Sequence, residues 1–170
     1  IRGVGSAEFP LLVLSLMINT ILPLFTALVA IDCFSSEFSG NTIRITLTRP
    51  VSRLKIFTAK VSAITVFIVG NLVILLVLSS LAGFLFNFNS ATISGFFKVV
   101  LAYLVSLVPL MVLALAVVTL TNIFKSGTTV FFAAILGYII LKAAGIFFPQ
   151  FSVLLLTSYL NWFNLWLASI

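Results

Sequence analysis

The chain reads DCFSSEFSGNTIRITLTRPVSRLKIFTAK from Asp32 to Lys60, and this stretch is the longest polar segment of an otherwise apolar sequence. Seven of the twelve charged residues (nine Lys or Arg, three Asp or Glu) lie in it. They are Asp32, Glu37, Arg44, Arg49, Arg53, Lys55 and Lys60. A charged segment between two long hydrophobic runs is typical of a loop outside the bilayer. Because Lys and Arg are enriched in cytoplasmic loops, its five cations predict that it faces the cytoplasm.

The composition places the whole chain in a membrane. Of its 170 residues, 62% are hydrophobic and 7% are charged, with a mean hydropathy of +1.36, whereas soluble domains carry about 25% charged residues. The net charge of +6 does not indicate nucleic-acid binding, because the cations cluster in one loop. The single cysteine, Cys33, excludes a disulfide framework. The lack of histidine removes the commonest general base and metal ligand.

Four apolar runs have the length of about 20 residues that a membrane-spanning helix needs. They are Pro10–Ile31, Val61–Phe86, Val99–Leu120 and Gly127–Phe148, and Lys142 is the one charge within them. We therefore predict an all-α membrane protein, a polytopic helix bundle that forms a single transmembrane domain over residues 1–170.

The tail, residues 151–170, is uncharged but carries Tyr159, Trp162 and Trp166, and such aromatic residues prefer the headgroup level. We interpret the tail as a re-entrant or interfacial hairpin on the outer side, with a fifth spanning helix as the alternative. We also expect the chain to be a fragment that lacks flanking membrane helices, because it begins without methionine and ends inside an apolar run.

The distribution of cations favours one orientation of the four spans. The loop Asp32–Lys60 and the turn Thr121–Ser126 then face the cytoplasm with six Lys or Arg between them. The outer segments carry two, Arg2 and Lys98. The count favours this topology over its inverse.

Within the basic loop, apolar and polar residues alternate from Ile43 to Thr48. This period of two is typical of a strand, but a lone strand would leave its backbone edge unpaired. We favour short interfacial helices instead. Gly40 supplies a break, Pro50 ends the first helix, and Ser52 caps a second helix that begins at Arg53 and continues into the membrane.

One pattern in the loop combines, in chain order, Glu37, Gly40, Thr42, Arg44, Arg49, Pro50, Ser52, Arg53 and Lys60. This pattern resembles the loop after the second membrane helix of ABC-2 type exporter permeases. It departs from the family at one point, because Asn41 separates Gly40 from Thr42 where the family has adjacent glycine and threonine.

The resemblance implies a permease with six membrane helices per subunit that works as a dimer with an identical or homologous permease subunit. It implies that the loop, as a coupling helix, docks a separate ABC ATP-binding subunit at residues 33–52. The four predicted spans then correspond to helices two to five. Cargo of this family is amphipathic, peptide, drug or lipid-like, and the expected location is the bacterial cytoplasmic membrane.

The sequence agrees with a permease whose ATP is bound by a separate subunit. It contains no Gly-x-x-x-x-Gly-Lys-Ser/Thr phosphate-binding loop. We therefore expect no enzyme activity and no cofactor on this chain, with ATP and Mg²⁺ held by the partner. Glu37 is the acid expected to pair with Arg49, with Arg53 or with a basic residue of the partner.

Several polar residues lie inside the predicted spans. Lys142 either snorkels to the outer headgroups or lines a substrate path. Asn19, Thr20 and Asn71 are expected to make hydrogen bonds between helices. Asn19, Asn71 and Lys142 are the candidate residues of a translocation path.

Two further patterns concern helix shape and packing. Pro23 and Pro109 are expected to kink their helices. The spacings Ser79-x-x-x-Gly83 and Ala133-x-x-x-Gly137 place small residues one turn apart, as in closely packed membrane helices.

Two other classes of function fit less well. An ion-driven secondary transporter or channel would need acids inside the membrane, and no Asp or Glu lies within a predicted span. An intramembrane enzyme would need a cluster of carboxylates or histidines. The sequence therefore favours the permease interpretation.

Overall fold

The computed structural model describes residues 8–39, 53–86, 92–124, 126–147 and 160, and these residues form a helical bundle. The helices are α1 (Glu8–Asn19), α2 (Ile21–Ser39), α3 (Arg53–Phe86), α4 (Ile93–Phe124) and α5 (Gly127–Phe147). The described ranges contain no strand. Helices α3, α4 and α5 are each long and apolar enough to cross a membrane, and α1 with α2 makes a fourth crossing if the bent pair is one span. The all-helical prediction is confirmed for these residues.

The first predicted span is bent. Instead of one helix over Pro10–Ile31, α1 and α2 meet at Thr20 at an angle of 47°. Pro23 explains the position of the break, because it has no N–H for the carbonyl of Asn19, four residues earlier, and its ring crowds that carbonyl. At the break itself, the Thr20 N–H donates to the carbonyl of Met17, three residues earlier, at 3.4 Å. The kink predicted at Pro23 is therefore confirmed.

Helix α4 lies at the centre of the bundle. Its buried residues recur every three or four positions, as a helix packed along one face requires: Val99, Ala102, Tyr103, Ser106, Pro109, Leu110, Leu113, Ala114, Val117, Val118 and Thr121. Helix α2 makes the most extensive contact with α4, and α3 and α5 flank this pair with little or no contact between themselves. At Pro109, α4 continues without a break.

Helices α3 and α4 are longer than the apolar runs that predict them. Helix α3 has 34 residues and is about 51 Å long, whereas the hydrocarbon core is about 30 Å thick. It begins at Arg53, the residue predicted to follow the Ser52 cap. The interfacial and membrane parts of this segment are thus one continuous helix.

A buried tyrosine ties three helices together near their predicted outer ends. The hydroxyl of Tyr103 on α4 lies 2.9 Å from the Ser79 hydroxyl on α3. The same hydroxyl donates to the Pro10 carbonyl of α1 at 3.3 Å. Ser79 and Gly83 are both buried, so the small-residue face predicted on α3 does point into the bundle.

Two glycines of α5, one at its start and one in its middle, have different surroundings. A Cβ added to Gly127 would lie 2.6 Å from the Ser35 Oγ of α2 and 3.4 Å from the Ile31 Cγ2, so α5 begins in direct contact with α2. A Cβ added to Gly137 would meet no atom within 4 Å. The close packing predicted for Ala133-x-x-x-Gly137 is therefore wrong at Gly137 within the described bundle.

Candidate functional site

The break between α1 and α2 exposes a backbone carbonyl that α5 satisfies. The carbonyl of Asn19 has no helical N–H partner at Pro23. The Tyr138 hydroxyl donates to it at 2.7 Å, and the Lys142 Nζ approaches it at 3.4 Å. Two side chains of α5 thus replace the bond that the proline removes, as an unpaired carbonyl inside a membrane would be costly.

The side chain of Asn19 takes part in the same cluster. Its Nδ2 donates to the Ser15 carbonyl at 2.8 Å, which leaves Oδ1 to accept from the Lys142 Nζ at 2.9 Å. Tyr138 and Lys142 are four residues apart and share one face of α5. The Lys142 Nζ also lies 5.6 Å from the centre of the Tyr138 ring, within cation–π range.

The charge of Lys142 meets only uncharged groups in the described part of the chain. Its hydrogen bonds go to the two oxygens of Asn19, and its aromatic contact is Tyr138. A cation at the bilayer centre costs about 2.5–3.5 kcal/mol on insertion scales, and the cost is smaller at Lys142, which lies five residues from the end of α5. Oriented dipoles offset part of this cost, but they leave the positive charge in place.

An apolar cavity of about 120 Å³ lies beside this polar cluster. It lies between α2, α4 and α5, and its lining residues include Pro23, Ala27, Leu113, Leu120, Gly137 and Tyr138. Tyr138 belongs to both features, because it lines the cavity and its ring centre lies 5.6 Å from the Lys142 Nζ.

The structure brings together two of the three candidate path residues, Asn19 and Lys142. Asn71, the third, donates to the Phe67 carbonyl of its own helix at 2.8 Å. The Thr20 hydroxyl likewise bonds the Leu16 carbonyl at 2.6 Å. The predicted interhelical hydrogen bond is therefore confirmed for Asn19, whereas Thr20 and Asn71 bond within their own helices in the described part of the chain.

Sequence reasoning missed Tyr138. The sequence indicates its role through its position one helical turn before Lys142. This spacing places a hydroxyl and an aromatic face within reach of the ammonium group. The role of these residues in a substrate path stays a prediction.

A second cluster holds the two ends of the basic loop together. The rings of Phe34 on α2 and Phe57 on α3 meet edge to face with their centres 5.7 Å apart. The Lys60 Nζ lies 4.8 Å from the centre of the Phe34 ring. Lys60, predicted as part of the coupling loop, thus contacts α2 at the base of that loop.

The rest of the predicted coupling loop is not described. Six of its residues lie outside the described ranges, as do the side chains of Glu37 in α2 and Arg53 at the start of α3. The six are Gly40, Thr42, Arg44, Arg49, Pro50 and Ser52. The predicted charge pairs of Glu37 and the predicted tail hairpin also lie there, although Leu160 of the tail is fully buried.

Long apolar helices around a central α4, with a cation held between them, define a multi-pass membrane protein. The family model described as "ABC-2 family transporter protein" matches residues 4–143. The chain therefore belongs to the ABC-2 transporter family, as its loop residues indicated. Membership makes it a permease component, and it implies association with an ABC ATP-binding subunit. Comparison with curated proteins and with solved structures gives no match.

Proposed function

We propose that this chain is the transmembrane permease subunit of an ATP-driven ABC exporter in the bacterial cytoplasmic membrane. It moves an amphipathic, peptide, drug or lipid-like substrate out of the cytoplasm. The observation that carries the proposal is the family match over residues 4–143. A second permease subunit, identical or homologous, completes the transporter, and ATP and Mg²⁺ bind to the partner ATPase.

The arrangement of α2 supports a mechanical role for the basic loop. Phe34, Phe57 and Lys60 tie the cytoplasmic end of α2 to α3 directly below the loop. Gly127 holds the start of α5 against the same end of α2. A displacement of the loop would therefore move α2, α3 and α5 together, since conformational change is carried by packed elements.

Helix α2 also connects the loop to the polar cluster. From Phe34 to the break at Thr20 is fourteen residues, or about 21 Å of helix. At the break, Asn19 is bonded to Lys142 and Tyr138 of α5. ATP-driven movement of the loop would thus reach the hydrogen bonds between Asn19 and α5.

Co-purification of the partner tests the proposal. Arg49→Glu reverses one charge in the predicted coupling loop, and Lys98→Glu makes the same change at the predicted outer end of α4. We expect the ATP-binding subunit to co-purify with wild type and Lys98→Glu but to be lost from Arg49→Glu. If transport persists in proteoliposomes that contain no ATPase subunit, the ion-driven alternative is correct instead.

A further inference from the structure

We propose that Lys142, Asn19 and the cavity between α2, α4 and α5 form a binding site for a single-chain anionic amphiphile. The acid group, a carboxylate or phosphate, binds the Lys142 ammonium, and the first part of the alkyl chain occupies the cavity. The assignment of this ligand as cargo rests on the proposed export function. The binding site itself rests on the charge and shape described above.

The head-group end of the site is defined by charge. Lys142 bonds only to uncharged groups within the described residues. The described acids nearest to Asn19 along α1 and α2 are Glu8 and Asp32, about 16 and 20 Å away along the helices. An acid group would give Lys142 an acceptor of opposite charge, whereas the Asn19 amide accepts from the same ammonium without one.

The chain end of the site is defined by the cavity. Its volume of about 120 Å³ is close to the ~150 Å³ of an apolar cavity that binds benzene, so it accepts a segment of one alkyl chain. Leu24 and Leu141 on its lining are 39% and 36% exposed on the bundle surface. The remainder of a longer chain therefore continues into the lipid, and the ligand enters from the bilayer.

Binding at this position has a consequence for the helix break. The ammonium group has three N–H donors and the two oxygens of Asn19 accept from it at 3.4 and 2.9 Å, so an acid group binds beside them at the remaining donor. Tyr138 remains bonded to the Asn19 carbonyl. The ligand thus adds an ionic contact beside the junction of α1 and α2, where both α5 side chains stay bonded to Asn19.

Photoaffinity labelling of the assembled complex, with its ATP-binding subunit and in zwitterionic lipid nanodiscs, tests the site. The probe is palmitate with a diazirine on its chain, and the methyl ester of the same probe lacks the charge. We expect palmitate to label lining residues of α2, α4 and α5, and the ester to label them weakly. Lys142→Gln should weaken palmitate binding about tenfold or more, whereas Lys142→Arg should keep it and Lys98→Gln should leave it unchanged.

A pair of glycine substitutions tests the cavity separately. Gly137 and Gly70 both have no atom within 4 Å of an added Cβ, but only Gly137 lines the cavity. Gly137→Leu should therefore block palmitate, and Gly70→Leu, the matched change on α3, should not.

Equal binding by wild type and Lys142→Gln would overturn the site. The site would also be overturned if unlabelled acetate and unlabelled palmitate competed equally well with the probe, because a small acid does not occupy the cavity. Co-purification of the ATPase, read on the same samples, separates the two proposals. An intact complex without palmitate binding rejects this site alone, and palmitate binding without an ATPase partner rejects the exporter proposal alone.

Discussion

The Nζ of Lys142 donates a hydrogen bond to the Oδ1 of Asn19 across 2.9 Å, which joins α5 to the last residue of α1. Such bonds between membrane helices contribute about 0.6 kcal/mol on average and up to about 1.7 kcal/mol. This bond includes a charged donor, so we expect a coupling energy near the upper end of that range.

A double-mutant cycle of Asn19→Ala and Lys142→Met measures this coupling through thermal unfolding in detergent. Asn71→Ala combined with Lys142→Met is the control, because Asn71 bonds only within its own helix in the described structure. The control pair should be additive. Additivity of the Asn19 pair as well would contradict the bond.

The contrast between Asn19 and Asn71 shows which part of the candidate site could be predicted from the sequence. Both are asparagines in the middle of apolar runs, but Pro23 follows Asn19 by four residues and Leu75 follows Asn71 by four. Only the first carbonyl loses its helical partner, and this signal was readable in advance. The helical type of the four apolar runs was equally predictable, because hydropathy and chain length determine it, although the first run forms two helices.

Other features depend on how the helices pack and had no local signal. The approach of Gly127 to Ser35 depends on the angle between α5 and α2. The cavity depends on three helices that are distant in the chain. The small residue Gly137 was expected to bring helices together and instead leaves a space.

Restoring the missing amide should straighten the junction of α1 and α2. Pro23→Ala supplies an N–H to the Asn19 carbonyl, which then no longer depends on Tyr138 and Lys142. Spin labels at Leu12 and Leu28, both exposed, would report the bend by electron–electron distance measurement in a Cys33→Ala background. The distance should lengthen in Pro23→Ala. It should stay the same in Pro109→Ala, where the helix is already continuous.

The close contact at the start of α5 should not tolerate a side chain. In Gly127→Ala the new methyl group meets the Ser35 side chain, and we expect a loss of about 1–3 kcal/mol in the free energy of unfolding, as for overpacking elsewhere. Ser35→Ala removes the nearest atom and should recover part of the loss. Gly137→Ala, which enters open space, should not destabilise the protein. A Gly127→Ala variant as stable as wild type would show that α2 and α5 are not in contact there.

Labelling of a single introduced cysteine reports which side of the membrane the basic loop faces. Cys33→Ala removes the only cysteine, after which Thr42→Cys marks the loop and Ser90→Cys marks the segment between α3 and α4. A membrane-impermeant maleimide should label Ser90→Cys in intact cells and Thr42→Cys only in inverted vesicles. Labelling in the opposite sense would invert the topology and remove the docking surface for the ATPase.

The aromatic contact at the base of the loop should transmit the ATPase cycle. Phe34→Leu removes the ring that contacts both Phe57 and Lys60. An aromatic pair contributes about 0.5–1.5 kcal/mol and a cation–π contact about 0.5–2 kcal/mol, so the link between α2 and α3 weakens without loss of the fold. We expect the ATPase to remain bound while its stimulation by substrate falls. Phe97→Leu, at an exposed position on α4, should leave stimulation unchanged. If Phe34→Leu lowers thermal stability but keeps full stimulation, the contact is only structural and the force reaches the membrane helices by another route.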